Sequence, residues 1–425
     1  MYNCDYVLIN KTNCEVKNRK FYIFEEASME DLRKHLMVAA VDFGTTYSGY
    51  SFSMRADWED NPLKISNPIW RAGSRQFVSE KTPTCLLLNS NREFVAFGFE
   101  AENKWIDLLL DNEHNEYYYF ERFKMNLHNN KSQKRFMRSC AEGAGIPTNN
   151  LILALEPEAA SIFCQFLSTE KLKGSDPGFT MTAEGTKFMV VDLGGGTADI
   201  TVHEKAANGH LKEKHRAIGN DCGGTSIDRR FFKLFEEIIG KTTMDSLKKE
   251  SPLAYIDLIR EFESVKRTVE TETKTKVTMT IPVVALETSC QKVHNKNLES
   301  LLADSSYSKD IKLAQDKIRI HVEVFNKMFM PSVDSVISLM KEIFQDKSLK
   351  DVTHLLMVGG FSDCQLMHDA VRQAFPEKKI IIPEEAGLAV LKGAVLFGHD
   401  PEYIQSRIMR CSYGVKTNVP WHEKI

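Results

Sequence analysis

Apolar positions along this chain come in two rounds, each a set of short extended runs followed by helical stretches. In the first round, residues 38–54 alternate apolar with small side chains and predict a hairpin folded about Gly44-Thr45-Thr46. Residues 84–88 and 93–97 predict two more strands, joined by Asn89-Ser90-Asn91. From 105 to 127 the pattern becomes helical and strongly aromatic. Residues 141–160 read as helix, turn, strand and helix, with a buried strand at 151–155 ending in Glu156-Pro157. Residues 168–186, rich in Gly, Ser and Lys, predict a hinge. The second round has strands at 187–191 and 199–203 about a glycine turn, then a second glycine turn at 219–224. Helices follow at 227–239 and 256–270, a strand at 276–284, and a long helix at 322–344, interrupted or restarted at Pro331. A strand at 354–358, the turn Gly359-Gly360 and a helix at 366–374 come next. Pro383 is expected to open a last helix, with Glu384 and Glu385 at its positive end, and residues 407–415 to form a strand. Residues 1–36 resemble nothing that follows: two apolar patches (6–9 and 21–24) and a helix at 28–36. They read as a surface extension or an artefact of the gene model. Alternating strands and helices in two similar halves indicate an α/β protein with a duplicated core.

Composition narrows the class. A chain of 425 residues, 42% hydrophobic and 27% charged, suits an ordinary globular protein of two lobes. Fifty-five basic against 58 acidic residues leave a net charge of −3, which argues against nucleic acid or an anionic membrane as main partner. No apolar run has the length of a membrane span, and the start lacks a basic-then-apolar leader. The nine cysteines show no C-x-x-C spacing, so reduced thiols in the cytoplasm are expected rather than a disulfide framework or zinc site. Asn10-Lys11-Thr12 matches a glycosylation acceptor and is taken as chance.

The chemistry concentrates in a repeated phrase: Val41-Asp42-Phe43-Gly44-Thr45-Thr46, and later Val191-Asp192-Leu193-Gly194-Gly195-Gly196-Thr197. Each is an apolar strand, an aspartate and a glycine-threonine turn. Such turns let backbone N–H groups and hydroxyls approach phosphate oxygens, and the aspartate can hold a hydrated divalent cation beside them. Two such loops facing across a cleft would clamp a nucleoside triphosphate.

In order along the chain, these loops and several further segments resemble the nucleotide-binding domain of the seventy-kilodalton heat-shock chaperones, within the actin and sugar-kinase superfamily. The further segments are Leu155-Glu156-Pro157-Glu158-Ala159-Ala160, Glu263-Ser264-Val265-Lys266-Arg267-Thr268, Val358-Gly359-Gly360 and residues 383–398. Tyr119-Phe120-Glu121-Arg122-Phe123-Lys124-Met125 and Val358-Gly359-Gly360-Phe361-Ser362 look most like the divergent twelfth subfamily of animals. The resemblance implies a two-lobed actin-like ATPase fold of duplicated ribonuclease-H-like domains, without a complete peptide-binding domain. Its parts would be an extension (1–37), a first lobe (38–185 with 383–402), a second lobe (186–382) and the start of a C-terminal region (403–425).

It also implies ATP or ADP with Mg²⁺ as ligands. Asp42 and Asp192 would hold Mg²⁺ through water, with Asp199 nearby. Gly44, Thr45, Thr46 and Tyr47 would cradle the phosphates from one side, and Gly194, Gly195, Gly196 and Thr197 from the other. Glu156 would orient the attacking water. Gly223 and Gly224 would pass beneath the nucleotide, Glu263 would contact the ribose, Lys266 and Arg267 would flank the base, and Gly359 and Gly360 would admit it. The family's catalytic lysine falls on Lys124, with Arg122 as its rival. Taken singly, Glu156 could be a helix-terminal carboxylate and Lys266-Arg267 a solvated helix end.

Three departures stand out. Asp363 replaces the arginine that stacks on the base, and Thr225-Ser226 replace an acidic pair. The interval from Asp42 to Glu156 is also short. Residues 127–136 are a polar run where relatives carry a helix and an apolar strand, so a skipped exon or a rebuilt lobe is expected, with unpaired backbone and an opened core. Three functions remain: a chaperone-like protein with weak Mg-dependent ATPase activity coupled to lobe motion, a non-hydrolysing nucleotide-dependent interaction module, and a small-molecule kinase. Co-chaperone or signalling proteins are the partners that the resemblance implies.

Overall fold

The computed structural model describes residues 6–11, 35–71, 78–125, 133–175, 181, 183–268 and 275–408. The first sheet is built around a hairpin of β2 (Met37–Phe43) and β3 (Tyr47–Met54), in the register Val41↔Tyr50 and Phe43↔Ser48. Its order is β4 (Leu151–Ala154), β1 (Tyr6–Lys11), β2, β3 and the short strand Thr82–Pro83. The six residues of β1 therefore depart from the reading of residues 1–36 as a surface extension or an artefact of the gene model. They form an interior strand, antiparallel to both β2 and β4. Among the described residues, β1 fills the place between those strands, where the short first lobe predicts an opened core. Such a place must be filled, since buried backbone N–H and C=O groups left unpaired cost a lost hydrogen bond each. The patch at 21–24 and most of the helix at 28–36 lie outside the described residues.

Alternation along β2 sets the layers. Val38, Ala40 and Asp42 are buried on one side, while Ala39 and Val41 are half-buried on the other. The second face meets Ala141 and Ile146, at and just beyond the end of the helix Gln133–Gly143. The first face packs on α1 (Glu156–Gln165) and on the helix Ala389–His399, through Ala159, Ile162, Phe163, Leu391 and Val395.

The second sheet has seven strands, in the order Leu172–Lys173, β9 (Lys379–Pro383), β8 (His354–Val358), β5 (Lys187–Leu193), β6 (Ala198–Lys205), β7 (Leu211–Asn220) and Ile404–Ser406. β5, β8 and β9 run parallel, β6 pairs antiparallel with β5, and β7 pairs antiparallel with β6, so β7 runs the same way as β5. β5 is apolar at nearly every position because both of its faces are covered. Met189, Val191 and Leu193 face the core built with α2 (Gly224–Ile239), α3 (Pro252–Thr268) and α4 (Val322–Ile343). Phe188 and Val190 face α1 and α5 (Ala389–His399). The two sheets thus sandwich α1 and α5, which cross at Gly393; a Cβ there would lie 1.7 Å from the carbonyl oxygen of Ala159. Among the described residues, no helix is long and apolar enough to cross a membrane.

Four local expectations are revised. The aromatic stretch after residue 105 is a helix only to Leu110; Asn112, at φ +59°, ends it, and Tyr117–Glu121 is a strand. Its aromatic side chains alternate with period two: Tyr119 stacks on Trp105 while Tyr118 and Phe120 face solvent. Pro383 ends β9 instead of opening a helix, and Glu385 binds Lys392 at 2.6 Å. Most of the strand expected at 407–415 lies outside the described residues, while Ile404–Ser406 forms a strand on the edge of the second sheet. The hinge at 168–186 is partly built in, since Leu172–Lys173 pairs with β9. α4 runs through Pro331 as one helix.

Candidate functional site

Both glycine-threonine turns leave their sheets at the same end of the sandwich. The first follows β2, and its Gly44 carbonyl accepts the Thr84 hydroxyl at 2.8 Å. The second follows β5 and is closed by Gly194 N–H donating to Thr197 O at 2.9 Å. The N-terminus of α2 lies beneath it: Gly223, Gly224 and Thr225 N–H donate to the carbonyls of Gly196, Gly194 and Gly195. Gly223 is thus a floor under the loop and not part of the cavity wall. The two turns touch. A Cβ on Gly195 would sit 2.4 Å from the Thr46 hydroxyl, and one on Gly196 would sit 2.6 Å from that of Thr45.

Between the turns opens a cavity of about 390 Å³, within the usual range of ligand sites. Its walls include Asp42, Gly44 to Tyr47, Lys124, Glu156, Asp192, Gly194 to Thr197, Gly224, Glu263, Lys266, Gly359 and Gly360. Most residues expected from sequence are therefore brought together. Asp199 stands behind the wall, directly opposite Asp192 in the β5–β6 ladder. The Arg267 side chain lies outside the described residues. Gly359 takes φ +91°, and a Cβ there would come 2.5 Å from Asp192 Oδ1, so the turn after β8 wedges against the aspartate.

Four buried carboxylates share this end: Asp42, Glu156, Asp192 and Asp199. Burial, then the charges of Glu156 and Asp199, push the Asp192 carboxyl well above its ordinary range. Burial and Glu156 push Asp199 up to about 7. Asp192 Oδ2 is buried with no hydrogen-bond partner. A cluster this short of positive charge fits a cation. Among the described residues, no three His, Cys, Asp or Glu side chains converge to ligate a metal directly, so a cation here would be held through water.

Two lysines offset part of the charge. Lys124 is buried with Nζ 3.5 Å from Glu156, whereas Arg122 turns away and binds Asp228 on α2 at 2.7 Å. Of the two rivals, Lys124 is the one in the cavity. Lys81, which the sequence did not single out, binds Asp42 at 2.7 Å. It is delivered there because Thr82–Pro83 pairs with Tyr47 and Ser48, a contact that no motif announces. At the far end Lys266 is no solvated helix end. It is buried between Asp228 (2.6 Å) and Glu263 (2.5 Å), and Asp228 is thereby shared with Arg122 from across the cleft. Phe361, Asp363 and Cys364 complete that end.

Comparison with known proteins agrees with this geometry. The family description "Hsp70 protein" matches residues 130–424. Heat shock 70 kDa protein 12A of Homo sapiens is 31% identical over 499 residues, covering 92% of this chain and 73% of the relative. The chain belongs to the Hsp70 family. Heat shock 70 kDa protein 12B of Homo sapiens is 28% identical over 490 residues, covering 89% of the chain and 71% of the relative. Among solved structures, MreB5 of Spiroplasma citri bound to ADP overlays with a TM-score of 0.47 at 11% identity, over 84% of this chain and 94% of that one, too loosely to argue from. Within the Hsp70 family the two-lobed α/β sandwich is the actin-like nucleotide-binding domain. An alignment of 499 residues exceeds the 425 of this chain, so the 12A relative carries segments absent here.

Proposed function

We propose that this Hsp70-family chain binds ATP with Mg²⁺ between its two glycine-threonine loops and hydrolyses it slowly, with lobe opening and closing as the output. The observation that carries the hydrolytic part is Lys124 beside Glu156 (3.5 Å) on the wall of the loop cavity. The loop N–H groups and the hydroxyls of Thr45, Thr46 and Thr197 would receive the phosphate oxygens. Mg²⁺, when bound, neutralises phosphate charge, and Asp42 and Asp192 would hold it through water. Glu156 would accept a hydrogen bond from the attacking water and turn its oxygen toward the terminal phosphorus. Lys124 would stabilise the charge that develops as the bond to the leaving diphosphate breaks. Glu263 and Lys266 would meet the ribose and base. Arg122 and Asp228 close the cleft from opposite lobes, so a bound nucleotide and this ion pair would favour the same closed state. The proposal extends to a chaperone-like role in the cytoplasm, with protein partners that sense closure.

Calorimetric titration of the purified chain with Mg·ATP tests the reading, followed by phosphate release with no added acceptor. Binding that Asp192→Ala weakens, together with slow release, supports it. Tight binding without release would select a non-hydrolysing interaction module. ADP formation only with an added acceptor, with the phosphoryl group recovered on that acceptor and no free phosphate, would mean a kinase. No binding by the folded chain would sink all three.

A further inference from the structure

β1 differs from the other strands of its sheet. It precedes β2 in sequence by residues 12–36, and it pairs along its length with β2 and through Tyr6–Ile9 with β4. Among the described strands, β1 is the sole ladder partner of β4. Tyr6 stands opposite Asp42 on one side and Ala154 on the other. Glu156 follows Ala154 by two residues and opens α1. The backbone at Tyr6 therefore connects the strand ending at the first-lobe aspartate to the strand leading into the water-orienting glutamate.

Because β1 is antiparallel to both neighbours, β2 and β4 run parallel to each other, one strand width further apart than paired strands would be. That extra spacing is about 5 Å. A shift of that size would remove Glu156 from any geometry shared with Asp42 and Lys124.

We propose that Tyr6–Lys11 is a built-in strand ligand of the first lobe. It occupies a slot between β2 and β4, sets the separation of Asp42 from Glu156, and makes the nucleotide site competent. The slot is specific for an extended antiparallel segment and accepts this one also as a free peptide. The part concerning competence rests on the nucleotide-binding reading above; the part concerning the slot does not.

The register gives a direct test. Ile9 lies opposite Ala39 and Asn10 opposite Val38. Successive pairs in an antiparallel ladder alternate between hydrogen-bonded and more closely spaced geometry, so one of the two suits a disulfide. Mild oxidation of full-length Ile9→Cys/Ala39→Cys and Asn10→Cys/Val38→Cys should cross-link one pair, located by mass spectrometry. Ile9→Cys/Ala40→Cys, off by one residue and so on the opposite face, should not cross-link. Absence of both links, or equal linking in the off-register control, would overturn the slot whatever the chain does with nucleotide.

Leu8→Pro tests competence. Proline cannot donate within a central strand, and Mg·ATP affinity should fall by about tenfold or more. A synthetic peptide of residues 1–12 in excess should restore affinity, and the same peptide carrying Leu8→Pro should not. Unchanged affinity in the variant, or loss that the parent peptide cannot repair, would overturn the proposal.

Discussion

β2 and β5 each end in an aspartate and a glycine-threonine turn, yet they stand on different foundations. β5 is buried from Phe188 to Leu193, in a sheet whose nearest neighbours include the strand that follows it in sequence. β2 alternates buried and half-buried positions and has on one side a strand from the start of the chain. Similar turns therefore have unequal support. The second loop is held by a thick apolar core and by three N–H groups at the start of α2. The first is held by a thinner sheet, by Thr84 and by the Lys81–Asp42 pair. The two sides of the site are therefore unequally braced.

The less braced side carries the residue whose loss should matter most to turnover. Lys124→Ala should lower the rate of phosphate release by about a hundredfold or more while nucleotide affinity stays within a few-fold. Arg122→Ala in the same assay should leave most of that rate intact. If the two variants fall equally, the assignment of Lys124 fails.

Matched truncations probe the foundations themselves. Val191→Ala should cost about 2–3 kcal/mol in urea unfolding, since its side chain is fully buried. Val41→Ala, at the equivalent place but half-buried, should cost less than about 1 kcal/mol. Equal costs would mean that the first sheet is packed as tightly as the second.

A smaller effect is expected at Lys81. Its ammonium neutralises Asp42 in the free protein, so a cation arriving at Asp42 competes with it. Lys81→Ala should lower the Mg²⁺ concentration for half-maximal nucleotide binding by about threefold, on the scale of a partly exposed ion pair. A rise would instead make Lys81 a phosphate contact.

The smallest difference is one of acid sensitivity. His203 on β6 and His399 on α5 are each depressed to about 3, by burial first and then by Arg407 and Arg55 respectively. Unfolded histidine takes up a proton near 6.5 and the folded side chains do not. Unfolding therefore absorbs protons, and stability falls as pH drops from about 6.5 toward 3. β1 to β4 contain no histidine. His203→Phe should flatten the loss of denaturant midpoint between pH 7 and 5 by up to one proton, and an unchanged slope would show that His203 titrates normally.

What was legible in the sequence was local. Strand, aspartate, turn and returning strand lie within a dozen residues, so both hairpins and their carboxylates could be read directly. The choice between Lys124 and Arg122 could not, because it depends on where Asp228 stands, far along the chain on another lobe. Lys81 was missed for a similar reason: it reaches Asp42 through strand pairing between distant segments. Tyr117–Glu121 was misread as helix because aromatic residues signal burial without fixing its period. β1 was the largest miss, since a short apolar run carries no information about which strands will receive it.

Gly393 has a consequence of another kind. Most positions in a core respond in proportion to the size of a change, and mild substitutions there are tolerated. Where α5 crosses α1, a single added carbon would already overlap a carbonyl oxygen. Tolerance at this site is therefore a step and not a slope. In a saturation scan, alanine at 393 should be rejected as completely as tryptophan, and among inherited coding variants this codon should show one permitted amino acid although it touches no ligand.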